Sequence, residues 1–588
     1  MVRLSTLDWI IVASILAVSL SIGILVSKRA GANSDSFFLS GRSMPWWLLG
    51  TSMVATTFST DTPNLVAEIV RTNGVSGNWI WWAFLITGMF TAFLYARLWR
   101  RSGAMTDLEF YELRYSGKAA AFLRGFRALY LGVFFNIMTM ALVSLAAIKI
   151  AAVMLGFSPV QTLLIAGTVT LLFSALGGFL GVVLTDLILF AISMTGAILA
   201  ASVALGLPEV NGLQNLLTHP SVVTKLSFLP DFSNMEMALA VFIIPIAVQW
   251  WSVWYPGSEP GGGGYVAQRM LAARSERDAV GAVVLFQIAH YAIRPWPWIL
   301  VALASLIVFP DLDSIRAAFP HVESQLIGHD MAYPAMLTFL PAGLLGLVFA
   351  SLIAAYMSTM SSQLNWGSSY VVHDFYKRFV NPEASEQRLV IVGRASTVVL
   401  MIAAGTFALY LESAIQAFHI LLSIGAGTGL LFLLRWFWWR INATSEVVAM
   451  AVSFLAALYF QFADLPDWSP YLKLISGIGV TTAAWILAAC LGPKTDAAVL
   501  EKFCSELQPQ GPGWAAVRKR LPASTGVDAD NIPRALLNVF VGCFSVYALL
   551  FGTGYTIYGQ YGLAAGLLLS GSVGIGFLVK SIRRTKLV

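Results

Sequence analysis

Charge is scarce in this chain. Asp, Glu, Lys and Arg make up 11% of its 588 residues, while 58% are hydrophobic and the mean hydropathy is +0.75. A soluble domain carries about a quarter charged residues, so a chain kept in solution by surface charge is excluded. Cysteine is scarcer still. Cys490, Cys504 and Cys543 are scattered and odd in number, and give neither a disulfide framework nor a thiolate metal site. Catalytic signatures are missing too. The sequence has no Gly-x-Ser-x-Gly, no His-Glu-x-x-His, no phosphate loop and no paired His/Asp metal spacing, so an enzyme is not expected. The apolar runs are long and do not alternate, which excludes an outer-membrane barrel.

What is present is a series of apolar runs of 18 residues or more, the mark of a polytopic helical membrane protein. They predict about fifteen spans, near 7–27, 44–70, 75–98, 121–154, 159–176, 178–205, 235–255, 278–308, 334–372, 390–410, 413–436, 444–462, 469–491, 534–554 and 562–581. The first follows Met1–Asp8 without a basic leader or a small-residue cleavage site, and reads as a retained span. With the N-terminus outside, 29 of the 36 Lys and Arg fall on inside segments and six outside (Arg3, Arg71, Lys149, Lys225, Arg316, Lys473). That asymmetry predicts an N-out, C-in protein of a cell membrane, such as a bacterial inner membrane. It also accounts for the net charge of +6 without nucleic acid, which is not expected as a partner. Arg294 alone is left at mid-membrane. The loops 207–234 and 310–333 are long enough for short helices, as a lid or as a solvated connector. Segment 493–533 is too short for a domain, and the two spans after it read as an appendage.

Polar residues inside apolar runs mark function. Ala354–Asn365, AAYMSTMSSQLN, carries Ser358, Thr359, Ser361 and Ser362. That exceeds what bonding back to i−4 carbonyls requires, and hydroxyl oxygens suit a small hard cation. The second span holds a polar run up to Asp61 and Thr62 just before Pro63, the pattern of a helix broken at mid-membrane. The seventh contains Pro245 and runs into the glycines Gly261–Gly264. Paired breaks five spans apart predict two inverted five-helix repeats with a site between them. The implied division is 1–43 (an extra helix and loop), 44–205 and 235–436 (the repeats), 444–492 (two more spans), 493–533 (a cytosolic segment) and 534–588 (two last spans and a basic tail).

Several stretches carry a family resemblance. FFLSGRSMPWWLLG (Phe37–Gly50), GGFLGVVLTD (Gly177–Asp186) and AAYMSTMSSQLN with HDFYKRF (His373–Phe379) resemble motifs of the sodium:solute symporter family. AQRMLAA (Ala267–Ala273) resembles the basic loop after its sixth core helix. The resemblance covers about residues 7–490. It implies a LeuT-like all-α core of five plus five inverted helices, one helix before it and about four after it. It also implies Na⁺-driven uptake of a small organic solute by alternating access, through one or two Na⁺. The main sodium site falls on Ala55, Phe58, Ala355, Ser358 and Thr359, and a second on Asp186, Ser358, Ser361 and Ser362. Two ions crossing 100 mV would supply about 4.6 kcal/mol, roughly a thousandfold accumulation.

The solute site is less sharply written. Its candidates are Asp61, Thr62, Asn78, Gln249, Trp251, Trp254, Gln287, His290, Arg294 and His419. Trp79, Trp81 and Trp82 fit an interfacial aromatic belt. Asp61 is the expected partner of Arg294, since a buried Arg needs a carboxylate or a bound anion unless it reaches the interface. Such a pair could bind a sugar or polyol, the favoured solute class, or divide an amino acid or carboxylate between its charges. A transporter-like membrane sensor is the reading from another class. The chain is expected to act in the bilayer as a monomer or a homodimer.

Overall fold

The computed structural model describes residues 4–30, 39–252, 259–411, 425, 427–463, 468–522 and 532–584. In lipid a backbone must satisfy its own hydrogen bonds, and the regular elements among these residues are helices. Ten of them are long and apolar enough to cross a membrane. The other expected spans are the first, in a helix over Thr6–Ala30, the fifth, in one over Pro159–Gly206, the shorter seventh, the broken second, and the eleventh, of which residues 412–424 lie outside the described ones.

The first helix, α1 (Thr6–Ala30), is tied at its start by Asp8. One Asp8 carboxylate oxygen takes Ser5 N–H at 2.8 Å, and the other takes the N–H groups of Gly343 and Gly346 at 2.7 Å each. A single acid therefore serves the orphan amides of two helix starts. The second span is broken as its sequence predicts. Helix α2 (Trp46–Thr57) stops at Phe58 (ψ 77°), and α3 (Asp61–Asn73) starts three residues on. Pro63 lies in the first turn of α3, where a missing N–H costs nothing. There follow α4 (Val75–Ser102) and α5 (Gly117–Leu155).

Two spans were expected over 159–176 and 178–205. The chain forms one unbroken helix instead, α6 (Pro159–Gly206), of 48 residues. At 1.5 Å per residue it is about 72 Å long, more than twice a hydrocarbon core. No proline interrupts this run, and adjacent glycines alone do not end a helix whose backbone bonds have no water to turn to.

The seventh span is broken too. Helical α7 (Met235–Ala247) ends at Val248 (φ −140°), and the chain resumes as α8 (Gly264–Leu271). Much of AQRMLAA is thus helix, not loop. The start of the first broken span meets the chain just after α8: Met44 N–H donates to Ala272 O at 3.2 Å and Arg274 N–H to Met44 O at 3.0 Å. Next come α9 (Glu276–Val308), α10 (Leu344–Val380), α11 (Glu386–Ala408), α12 (Gly429–Leu434), α13 (Ala443–Phe462) and α14 (Pro470–Leu491).

Three peripheral expectations change. Trp79, Trp81 and Trp82 form no interfacial belt. All three are buried, and Trp79 packs on Phe242, Tyr547 and Phe551. The reason is α16 (Ile532–Ile557), which is no appendage. Tyr547 OH donates to Trp82 O at 2.9 Å, and Trp296 Nε1 donates to Leu550 O at 3.0 Å. A Cβ on Gly554 would stand 2.2 Å from the Trp296 ring, so only glycine permits this approach. The final helix, α17 (Tyr561–Arg584), packs on α16. The loop 207–234 acts as a cover: Val75 N–H bonds Lys225 O at 2.8 Å and Trp79 Nε1 bonds Phe228 O at 2.8 Å.

Segment 493–533 is short, and its residues 493–522 are docked. Its helix α15 (Ala497–Leu507) and Trp514 pack on the core beside Arg114 and Trp436. Trp514 is fully buried, bonds Trp436 O at 2.8 Å, and lies 4.7 Å under the Arg114 guanidinium. Trp514→Ala should cost about 3–5 kcal/mol in that contact. A lower thermal midpoint in detergent and faster tryptic cleavage within 493–533 would register it; unchanged cleavage would contradict the docking.

Candidate cation and solute site

The cation candidates gather where α2, α6, α8 and α10 pack together. Thr359 Oγ1 donates to Thr56 O at 3.0 Å, which brings the α10 hydroxyls beside the end of α2. Ser358 Oγ donates to Asp186 Oδ1. Both hydroxyl protons are therefore committed elsewhere, and the two oxygens keep lone pairs to offer. Ala55 and Ala355 are buried beside them. The Ala55 carbonyl already accepts Phe58 N–H at 3.0 Å and retains a second lone pair. Neutral hydroxyl and carbonyl oxygens of this kind are the donor type a small hard cation takes.

The second set assembles only in part. Asp186 and Ser358 touch, but Ser361 Oγ bonds Ser358 O of its own helix at 3.1 Å, and Ser362 Oγ is buried with no hydrogen-bond partner. The other Asp186 oxygen takes Ser52 Oγ at 2.6 Å and stands 3.5 Å from Arg269 Nη2. Arg269 was expected at the inner surface. It is instead 1% exposed, its Nε on Ser52 Oγ and its Nη2 on Thr56 Oγ1, both at 2.9 Å. Sequence reading missed it because the helix α8 was read as a surface loop.

The solute candidates separate into two groups. Asn78 donates to Val75 O and accepts from Trp81 Nε1, at 2.9 Å each, and Gln249 donates to Ile80 O at 2.9 Å. Gln287 lies against the Gly88 backbone, where a Cβ would come within 2.1 Å of it. Thr62 Oγ1 bridges the break to Thr57 O at 3.3 Å, and Trp251 is half-buried. The first four hold the structure together, whereas Trp251 Nε1 is buried without a hydrogen-bond partner. Trp254 and His419 lie outside the described residues.

The other group is Asp61, His290 and Arg294. Arg294 is buried and does not reach the interface. No Asp61–Arg294 ion pair occurs among those of the described residues; Arg294 turns to Thr57 O and Thr57 Oγ1 and meets His290 Nε2 at 3.2 Å. Arginine has only donors, so His290 Nε2 accepts and Nδ1–H faces Thr57 Oγ1 at 3.1 Å. Asp61 Oδ1 is buried without a partner. So are both polar atoms of Asn64, both of Gln363, and Thr139 Oγ1, none of which the sequence pattern singled out. They belong to α3, α5 and α10, which Thr60 (to Val143 O, 3.2 Å) and Asn136 (to Gln363 O, 2.8 Å) draw together. Buried polar groups are normally paired, so these atoms are unusual in their burial without partners.

The sodium:solute symporter family model matches residues 37–453. The chain belongs to that family. It is thus a sodium-coupled solute symporter of the membrane, a secondary transporter and not an enzyme by family. It is 26% identical over 479 residues to a sodium/glucose cotransporter of Vibrio parahaemolyticus, covering 79% of this chain and 86% of that one. It is 24% identical over 530 residues to the sodium/sialic acid symporter SiaT of Proteus mirabilis, covering 85% and 98%. The solved substrate-bound, outward-open structure of a Na⁺-coupled sialic acid symporter superposes with a TM-score of 0.65 at 21% identity, over 84% of this chain and 99% of that one. The fold is therefore the LeuT-like symporter fold that the family resemblance implies.

Proposed function

We propose that this symporter imports a small polar organic solute, a sugar or polyol, by alternating access driven by Na⁺ held at Ala55, Phe58, Ala355, Ser358 and Thr359. The observation that supports the ion site is the pair of committed protons, Ser358 to Asp186 and Thr359 to Thr56 O, which leaves both hydroxyl oxygens with only lone pairs to offer. The solute reading rests on the unpartnered amides Asn64 and Gln363 with Thr139 and Asp61, donors and acceptors that suit a guest rich in hydroxyls. Relatives named for glucose and for sialic acid support the same class. Sodium bound from outside would fasten α2 to α10 and complete the solute site, and its loss inside would release both.

The amino-acid or carboxylate alternative has Arg294 in its favour, a buried guanidinium near the first break. The sensor alternative has the docked residues 493–522. A panel of sugars, polyols, amino acids and carboxylates, each with and without Na⁺, separates the three by thermal shift and proteoliposome uptake. A sugar that stabilises only with Na⁺, and accumulates only down a sodium gradient, is the expected result. An amino acid doing so moves the substrate class. Sodium-independent uptake of the true solute would sink the mechanism. With this reading go the N-out, C-in orientation and the repeats 44–205 and 235–436, which cysteine labelling from either side of the membrane would test.

A further inference from the structure

Asp186 is the only carboxylate in the apolar run from Pro159 to Gly206. It is buried against three donors: Ser358 Oγ, Ser52 Oγ and Arg269. Arg269 in turn is fully engaged. Besides Asp186 it bonds Ser52 Oγ and Thr56 Oγ1 at 2.9 Å and Tyr265 O at 3.3 Å, and its guanidinium lies 5.4 Å from the Tyr265 ring and 5.7 Å from the Phe179 ring. A buried carboxylate requires a positive partner. A sodium ion and a guanidinium are two ways to supply one, and here the second occupies the position.

We propose that Arg269 is a built-in cation that takes the place of a second sodium ion at Asp186, so that one sodium accompanies each solute. The inference rests on the sodium site proposed above and fixes its stoichiometry. A free cation added at Asp186 would lie about 4 Å from a fixed positive charge, and repulsion at that distance weakens binding about a thousandfold. Ser361 and Ser362 could add only neutral hydroxyl oxygens, and these do not offset a like charge at that distance.

The arrangement gives both residues positioning roles. Asp186 holds the Ser358 proton and so turns the Ser358 oxygen to the main site. Arg269 neutralises Asp186 and, from α8, grips α2 at Ser52 and Thr56, on either side of the helix turn that leads to Ala55. A guanidinium, unlike an ion, does not leave. When sodium departs, no unpaired carboxylate remains inside the membrane, and the empty carrier can return without dragging one. One ion across 100 mV then supports about fiftyfold accumulation of a neutral solute.

The test counts ions on the purified full-length protein in detergent, by equilibrium binding of ²²Na⁺ without solute. Wild type should saturate at one ion per chain with a Hill coefficient of one. Arg269→Gln, checked for a monodisperse elution profile, should gain a second saturable ion that Arg269→Gln/Asp186→Asn loses again. Two ions on the wild-type chain would overturn the inference, as would a single ion on well-folded Arg269→Gln. If Arg269→Gln does not fold, the wild-type count decides alone. No bound sodium at all would instead overturn the proposed sodium site.

Discussion

Ser358→Ala should raise the sodium concentration for half-maximal uptake by about 10- to 100-fold. The change removes one proposed sodium ligand and also strips Asp186 Oδ1 of its donor in a fully buried setting. Hydrogen bonds to charged groups are worth about 1.5–3 kcal/mol, the source of that range. Thr359→Ala should act in the same direction but less strongly, because its partner is the neutral Thr56 carbonyl. Ser369→Ala is the control on the same helix, since Ser369 Oγ bonds only Trp366 O, at 2.7 Å, and touches none of these groups. The measurement is initial uptake against sodium concentration at fixed membrane potential. Equal sodium curves for Ser358→Ala and Ser369→Ala would remove Ser358 from the ion site. A fall in maximal rate with an unchanged sodium curve would assign it to motion, not binding.

The part of this site legible in the sequence was the part written in local chemistry. Two broken spans announced themselves through Pro63, Pro245 and the glycine run, because proline and glycine act on their own backbone wherever they stand. The hydroxyls of Ala354–Asn365 announced themselves because apolar helices rarely need four in five positions. Arg269 was hidden for the opposite reason. Its charge reads as a surface residue in any count of loops, and only the return of the chain as α8 carries it inward to Asp186. Asn64, Thr139 and Gln363 were hidden because a single amide or hydroxyl on a helix carries no pattern; their meaning lies in being buried while lacking partners. Trp79, Trp81 and Trp82 show the same limit from the apolar side. An aromatic cluster near a span end reads as an interface belt until a helix more than 450 residues later, α16, is found covering it.

A second cluster of charge is invisible to span counting for the same reason, and it predicts a large loss of stability. Arg127 on α5, Glu259 beyond the second break, Arg435 at the end of α12 and Glu446 on α13 are all buried to 2% exposure or less. Glu259 pairs with Arg127 Nη2 and stands 3.7 Å from Arg435, which stands 3.6 Å from Glu446. Tyr111 and Tyr115 complete the set, the first accepting from Arg435 at 2.6 Å and the second donating to Glu446 at 2.5 Å. Two cations and two anions balance, so the group is held by neutrality more than by any one pair. Glu259→Gln leaves one buried positive charge uncompensated and should cost about 3–5 kcal/mol. Glu259→Gln/Arg127→Gln restores the balance and should recover a large part of that loss, although it removes one more charge. The thermal midpoints of the wild-type chain, both single variants and the double variant measure the coupling directly. Additive losses would show that the four ions act separately. A double variant more stable than either single one would show that charge balance, carried across four segments of the chain, is what fastens the second broken span to α5, α12 and α13.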